Sequence, residues 1–384
     1  MKKYNAMTNR ERLFAALNGE SSDHVPVWLL FPYHPTGYYV DVRTAPAYRD
    51  VFETTKTQAI TLNRRNLGVP SHTPEVVGKY ETVTDGNLTI RRNVLTYRGR
   101  SLTSEVHEDP NGTEVLKFLR SEEDLEFYCS LPVLQDKSAI EAAMESQMAR
   151  YLQEKAEFLS ECGSMMLCLG EPVGSLYHAS DLNEYPIWSL THNDLIVEYL
   201  RREMERLRQV YRFCLDRDLA DVYFLVGSEL ASPPMVSRAT FQQWIVPFAG
   251  ELIEMIHAYG KKAIQHYHGQ IHEILPDFLA MAPDALHTIE APPVGNCTFT
   301  QAYAALGDRI TLIGNIQYDD FRSLTPAQMA AAVRGVLEEC HGRRLILSPS
   351  AGPFDPAPPA RLAENYHAML RTAWDYGPWE IGNR

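Results

Sequence analysis

Two histidines one residue apart, His266 and His268 in His266-Tyr267-His268-Gly269, are the most chemically suggestive feature of this sequence. They end the apolar run that begins at Ala263. Residues i and i+2 of an extended segment point to the same side, so both imidazoles can enter one space. Two converging imidazoles and one carboxylate make a common catalytic zinc set with an open position. Glu229 and Glu290 follow the two flanking apolar runs, and either completes such a set. The same groups also suit metal-free proton transfer between His268 and a glutamate. A third reading makes one histidine a hydrogen-bonded wall residue and the other a general acid or substrate contact.

Other polar residues stand where apolar runs finish. Tyr33, His34 and Tyr38 follow Val25–Leu30, Glu171 follows Met165–Leu169, and Ser348 and Ser350 follow Leu345–Leu347. Tyr33, His34, Tyr38, Glu171 and Ser350 are the candidate substrate contacts. Asn315, after Ile310–Ile313, either orients substrate or fixes a turn. Glu290 is a candidate ligand, general base or contact to a cation. Tyr33, Tyr38, Tyr39 and Trp28 crowd one strand end and predict a compact substrate. His272 and His287 read as structural or exposed, and the six cysteines as core fillers.

The elements that must position these residues alternate regularly. Short apolar runs at 25–30, 59–62, 165–169, 222–226, 263–266, 285–289, 310–313 and 345–347 are separated largely by amphipathic helices. The spacing predicts helices over 139–161, 194–215, 238–259 and 359–374. Such alternation implies a parallel sheet with crossover helices. Eight strands suggest a closed (β/α)8 barrel, whose active site lies at the C-terminal strand ends. An open doubly wound sheet is the runner-up, weakened because no Gly-x-Gly-x-x-Gly follows the first strand. Residues 64–118 alternate apolar and polar side chains around the turn Asp109-Pro110-Asn111-Gly112, predicting an antiparallel β insertion within a single barrel domain. Thr8-Asn9-Arg10-Glu11 is a capping box for a first helix that Gly19 stops.

Length and charge narrow the partners. At 384 residues the chain suits one barrel with insertions. A net charge of −13 disfavours nucleic acid and anionic membrane, which need a concentrated positive field. No run approaches ~18 apolar residues, so a membrane span is not expected. The N-terminus has no apolar signal region and no Cys-x-x-Cys is present, so a cytoplasmic protein with reduced thiols is expected.

In these motifs the sequence resembles the uroporphyrinogen decarboxylase superfamily. The resemblance rests on Asn9-Arg10-Glu11-Arg12 through Asp23-His24-Val25-Pro26-Val27, on His266-Tyr267-His268-Gly269, and on Ile289-Glu290-Ala291-Pro292-Pro293. It continues in Leu312-Ile313-Gly314-Asn315-Ile316 and Leu347-Ser348-Pro349-Ser350-Ala351-Gly352, in order and in register. It implies the barrel independently of the strand count, and a homodimer. A true decarboxylase of this family carries an Arg-Gln-Ala-Gly-Arg-Tyr type segment after the first strand, a Phe-Ser-Asp segment, and His-Gly near the last strand. Here the first reads Phe31-Pro32-Tyr33-His34-Pro35-Thr36-Gly37-Tyr38, the second is missing, and the third is Ala351-Gly352. Decarboxylation of uroporphyrinogen is therefore disfavoured. The methyltransferase branch uses His-x-Cys-Gly and a last cysteine; His268 and Ala351 stand at the two cysteine positions.

The resemblance thus implies a zinc-dependent methyl transfer from a small methylated substrate to a thiol or to a corrinoid carried by a partner protein. Metal would sit on His266, His268 and Glu229, with His268, Glu290, Glu229 and Asn315 in the chemistry. A metal-free decarboxylase or lyase for a smaller acid is the alternative, and a non-catalytic ligand-binding barrel is a second.

Overall fold

The computed structural model describes residues 6–382, which form a curled parallel sheet wrapped by helices together with a separate antiparallel sheet. In chain order the strands are β1 (Thr61–Arg65), β2 (Val77–Asp85), β3 (Leu88–Tyr97), β4 (Arg100–Asp109), β5 (Gly112–Leu116), β6 (Gly163–Leu167), β7 (Val222–Leu225), β8 (Lys262–His266), β9 (Ala285–His287), β10 (Thr311–Ile316) and β11 (Leu345–Pro349). The parallel sheet runs β1-β6-β7-β8-β9-β10-β11, and its two edges are joined through residues 26–28. There Trp28 N donates to Leu347 O, Leu347 N to Pro26 O, and Ile60 N to Val27 O, at 2.7–2.9 Å. Closure removes both sheet edges, giving the expected barrel.

Strand alternation sorts side chains into two cores. Trp28, Leu62, Met166, Phe224, Ile264, Ala285, Ile313 and Ile346 fill the barrel interior. Their chain neighbours of opposite parity, such as Val27, Met165, Tyr223 and Leu347, pack outward against the helices. Leu13, Ala16 and Leu17 of the first helix (Asn9–Asn18) join the interior cluster and plug one end. The Thr8 capping box starts that helix, and Gly19 ends it at φ 75°, a left-handed conformation that glycine tolerates. Arg12 then clamps Asp23 with two hydrogen bonds of 2.6 and 2.9 Å, tying the plug to the first barrel segment.

Several boundaries differ from those predicted. The helix expected over 139–161 is two helices, Lys137–Glu145 and Met148–Glu157, followed by a short turn at Ser160–Cys162. Gln147 sits at the break and exchanges hydrogen bonds with the Gly68 backbone, which fixes the bend to the loop after β1. The helix expected over 238–259 is likewise two, Arg238–Trp244 and Val246–Ala258, because Pro247 has no N–H to continue the ladder. The antiparallel sheet β2-β3-β4-β5 begins at Val77, so residues 64 and 65 belong to the barrel strand β1 and not to the insertion. All six cysteines are buried and unpaired.

Candidate active site

At the C-terminal end of the barrel the interior parity continues upward from apolar to polar side chains. Above Leu62 stands Arg64, above Ile264 stand His266 and then His268, above Ala285 stands His287, and above Ile346 stand Ser348 and Ser350. A cavity of about 110 Å³ lies among Trp28, Tyr39, Arg64, His266, His268, His287 and Ser350. Pockets for drug-sized ligands occupy roughly 300–1,000 Å³, so this space by itself holds only a compact group.

His266 is the hinge of the site. Its Nδ1 lies 2.6 Å from Nδ1 of His287, the rings being stacked with centroids 4.8 Å apart. One of these nitrogens must carry the shared proton and the other accept it. Burial pushes both imidazoles down: His266 well below its ordinary value, with the neighbouring Arg64 guanidinium adding to the effect, and His287 to about 3. Both are therefore neutral near pH 7. The other ring nitrogen of His266, Nε2, faces Glu229 Oε1 at 3.5 Å. Glu229 also accepts a hydrogen bond from Gly227 N, and burial raises its pKa above the ordinary carboxylate value.

His268 forms a second pair. It is 43% exposed and points Nδ1 at Glu290 Oε2, 3.4 Å away. Glu290 is buried and accepts from Gly269 N at 2.8 Å. Gly269 adopts φ 73°, and a left-handed residue is what turns its N–H back toward that carboxylate. The arrangement orients a solvent-accessible imidazole on a fixed carboxylate, as a general acid or base requires.

The expected residues are not all brought together. Ser350 lines the cavity, where its hydroxyl accepts from Tyr318 N. Asn315 extends the interior row above Ile313 and lies opposite Ser348 in register. Tyr38 is 62% exposed and stands outside, stacked near Arg64. Tyr33 and His34, by contrast, do not line the cavity. Tyr33 packs on Phe52 and Phe158, while His34 is buried against Asn63 and Glu157. Leu30 and Pro32 occupy the inward positions of that segment, and Tyr39 supplies the aromatic wall. Glu171 is also behind the wall, buried near Ser228, Tyr211 and Tyr267 instead of in the cavity lining.

Two residues of the site escaped the sequence reading. His287, read as structural or exposed, is 1% exposed and inside the histidine cluster. Its signal was the alternation Ala285-x-His287, which puts both on the interior face. Arg64, expected in the insertion, instead continues the inward row Leu62-x-Arg64 of β1.

The zinc set expected on His266, His268 and Glu229 is not assembled. Among the described residues no three His, Cys, Asp or Glu side chains converge on a point that could hold a metal ion. The donors pair off instead, His266 with Glu229 and His287, His268 with Glu290. As placed, they do not fit the ion.

Residues 188–376 match the family model described as uroporphyrinogen decarboxylase. No curated protein matches the chain. Among solved structures, a methyltransferase from Methanosarcina mazei superposes with a TM-score of 0.58 at 16% identity, covering 96% of this chain and 99% of its own. A B12-independent methionine synthase from Shewanella sp. W3-18-1, in complex with selenomethionine, superposes at 0.43 and 11% identity over 92% of this chain and 94% of its own. The family match includes β7 to β11 and with them every histidine of the cluster. The family match thus covers the C-terminal half of the barrel, and the likeness to the methyltransferase extends the shared barrel fold over nearly the whole chain.

Proposed function

We propose that this protein is an enzyme that transfers a methyl group from a small methylated substrate to a thiol, or to a corrinoid carried by a partner protein. The observation that carries this reading is the cavity of about 110 Å³ lined by His266 and His268, each backed by a glutamate. Its size favours a compact substrate over a tetrapyrrole. Methyltransferase chemistry on a related barrel supports the class of reaction.

With a thiol acceptor, the sulfur–carbon bond forms as the bond from carbon to the substrate's heteroatom breaks, and its electron pair stays on that heteroatom. Two proton movements accompany this. Glu229, its basicity increased by burial, takes the thiol proton, and His268, held by Glu290, protonates the departing heteroatom. Neutral His266 keeps Glu229 in place without adding a competing charge. The acceptor thiol comes from outside the chain, because burial raises the pKa of all six cysteines and none is an activated thiolate.

The test supplies small methoxy or N-methyl carboxylic acids with dithiothreitol or cob(I)alamin and follows methyl thioether or methylcobalamin by mass spectrometry. Methyl product that disappears in His268→Ala supports the reading. Release of carbon dioxide with no methylated product refutes it in favour of a lyase. A zinc-assisted version needs His268 to leave Glu290 and join His266 and Glu229. Stoichiometric zinc lost in His266→Ala is the result that supports that version.

A further inference from the structure

A second cavity, about 400 Å³, opens beside β1 and is lined by Tyr38, Arg64, Arg65, Arg150 and Glu154, among others. Arg64 lines this space and the histidine cavity alike. Its charge situation differs from that of its neighbours. Glu154 is shared by Arg65 at 2.6 Å and Arg150 at 3.1 Å, and Arg65 also donates to the carbonyls of Pro35 and Arg64.

Arg64 forms no ion pair among the described residues. Its Nη2 donates to Cys168 Sγ at 3.6 Å, a weak acceptor, the neutral Tyr39 hydroxyl is its other polar neighbour, and its Nε is buried with no partner. The rings of Tyr38 and Phe224 flank it at 5.1 and 5.5 Å, which steadies the guanidinium without using its N–H groups. A half-buried guanidinium with unspent donors leaves part of its desolvation cost uncompensated, and a carboxylate meets its fork geometry with two charge-assisted hydrogen bonds.

We propose that Arg64 binds the carboxylate of a small monoanionic substrate, whose uncharged end projects among His266, His268 and His287. Longer members of the class extend into the outer cavity. On a chain of net charge −13, long-range attraction does not draw anions in, so selectivity for the anion rests on this one local contact. The carboxylate is a handle and not the reacting group, since ion pairing stabilises it against loss of carbon dioxide. The inference concerns ligand class and stands whichever reaction the histidines perform.

Equilibrium binding, which needs no turnover, tests it separately from the methyl-transfer reading. Methoxyacetate and its uncharged counterpart methoxyacetamide are compared by ligand-observed NMR at millimolar concentration. The carboxylate is expected to bind roughly ten- to a hundredfold tighter than the amide, the range of a charged hydrogen-bonded contact. Arg64→Gln is expected to abolish that preference, Arg64→Lys to keep part of it, and Arg150→Gln to leave it intact. Equal binding of amide and carboxylate, no binding of methoxyacetate, or a preference retained in Arg64→Gln overturns the proposal. Where Arg64→Gln fails to fold, Arg64→Lys set against Arg150→Gln carries the comparison: a preference lowered by Arg64→Lys alone supports the proposal, and one that neither variant changes overturns it.

Discussion

Replacing Glu171 by glutamine should stabilise the protein, and only above mildly acidic pH. Glu171 is buried, and neither of its carboxyl oxygens makes a well-formed hydrogen bond among the described residues. Burial pushes its pKa from the ordinary 4.5 up to about 7; the Ser228 hydroxyl opposes the change in part, and the charge of Glu229 adds to it. A pKa raised in the folded state means the proton is held more tightly there than in the unfolded chain. The corresponding stability is fully present below about pH 4.5 and is lost as pH rises through about 7. The difference between those values corresponds to about 3 kcal/mol, from 1.36 kcal/mol for each tenfold change in proton affinity. A neutral glutamine of the same shape does not ionise, so it avoids that loss at every pH. For a chain of this length the unfolding entropy is about 0.8 kcal/mol per degree, and the gain becomes roughly 4 °C in Tm. The assay is thermal unfolding of wild type and Glu171→Gln from pH 4 to 8.5 in matched buffers. The two Tm curves should meet near pH 4 and separate between pH 5 and 7, with the variant higher. Parallel curves across that range would refute the reasoning, because they would mean that Glu171 is not carrying an uncompensated buried charge.

Three further outcomes follow from the same geometry. His268→Ala should lower kcat for methyl transfer on the order of 10²–10⁴-fold, the usual worth of a positioned acid or base, and a loss under tenfold would remove it from proton transfer. His287→Phe deletes the Nδ1 contact to His266 while keeping the ring volume. It should cost about tenfold in kcat with KM little changed; an unchanged kcat would mean that the pair has no role in turnover. Asp23→Ala strands Arg12 beside the barrel plug and should cost about 3–5 kcal/mol of stability, measured by denaturant unfolding; Arg12→Met with Asp23→Leu should recover much of that loss.

Much of the framework is legible in local sequence because its causes are local. The capping box at Thr8, the stop at Gly19 and the helix Asn193–Asp216 follow from side chains and periodicities within a few residues. The strand runs are visible as short apolar segments, and their i, i+2 alternation already says that His266 and His268 share a face. Breaks inside long helical patterns have causes of both kinds, local and distant. That at 245–246 follows from Pro247, whereas that at 146–147 depends on Gln147 meeting Gly68, a contact 79 residues away in sequence.

By itself, then, the sequence determined the alternation of strands and helices, the family motifs and the strand end at which two histidines meet. Tertiary structure decided their company. Barrel closure brings His287 from β9 against His266 from β8, and curls β1 round until Arg64 faces the same cavity. Backbone direction turned Tyr33 and His34 outward, and packing behind β8 buried Glu171 away from the cavity. The physical reason is common to all of these. Parity along a strand fixes the face on which a side chain stands, but the barrel's register fixes which strand ends converge, and that register is set by hydrogen bonds between segments far apart in the chain.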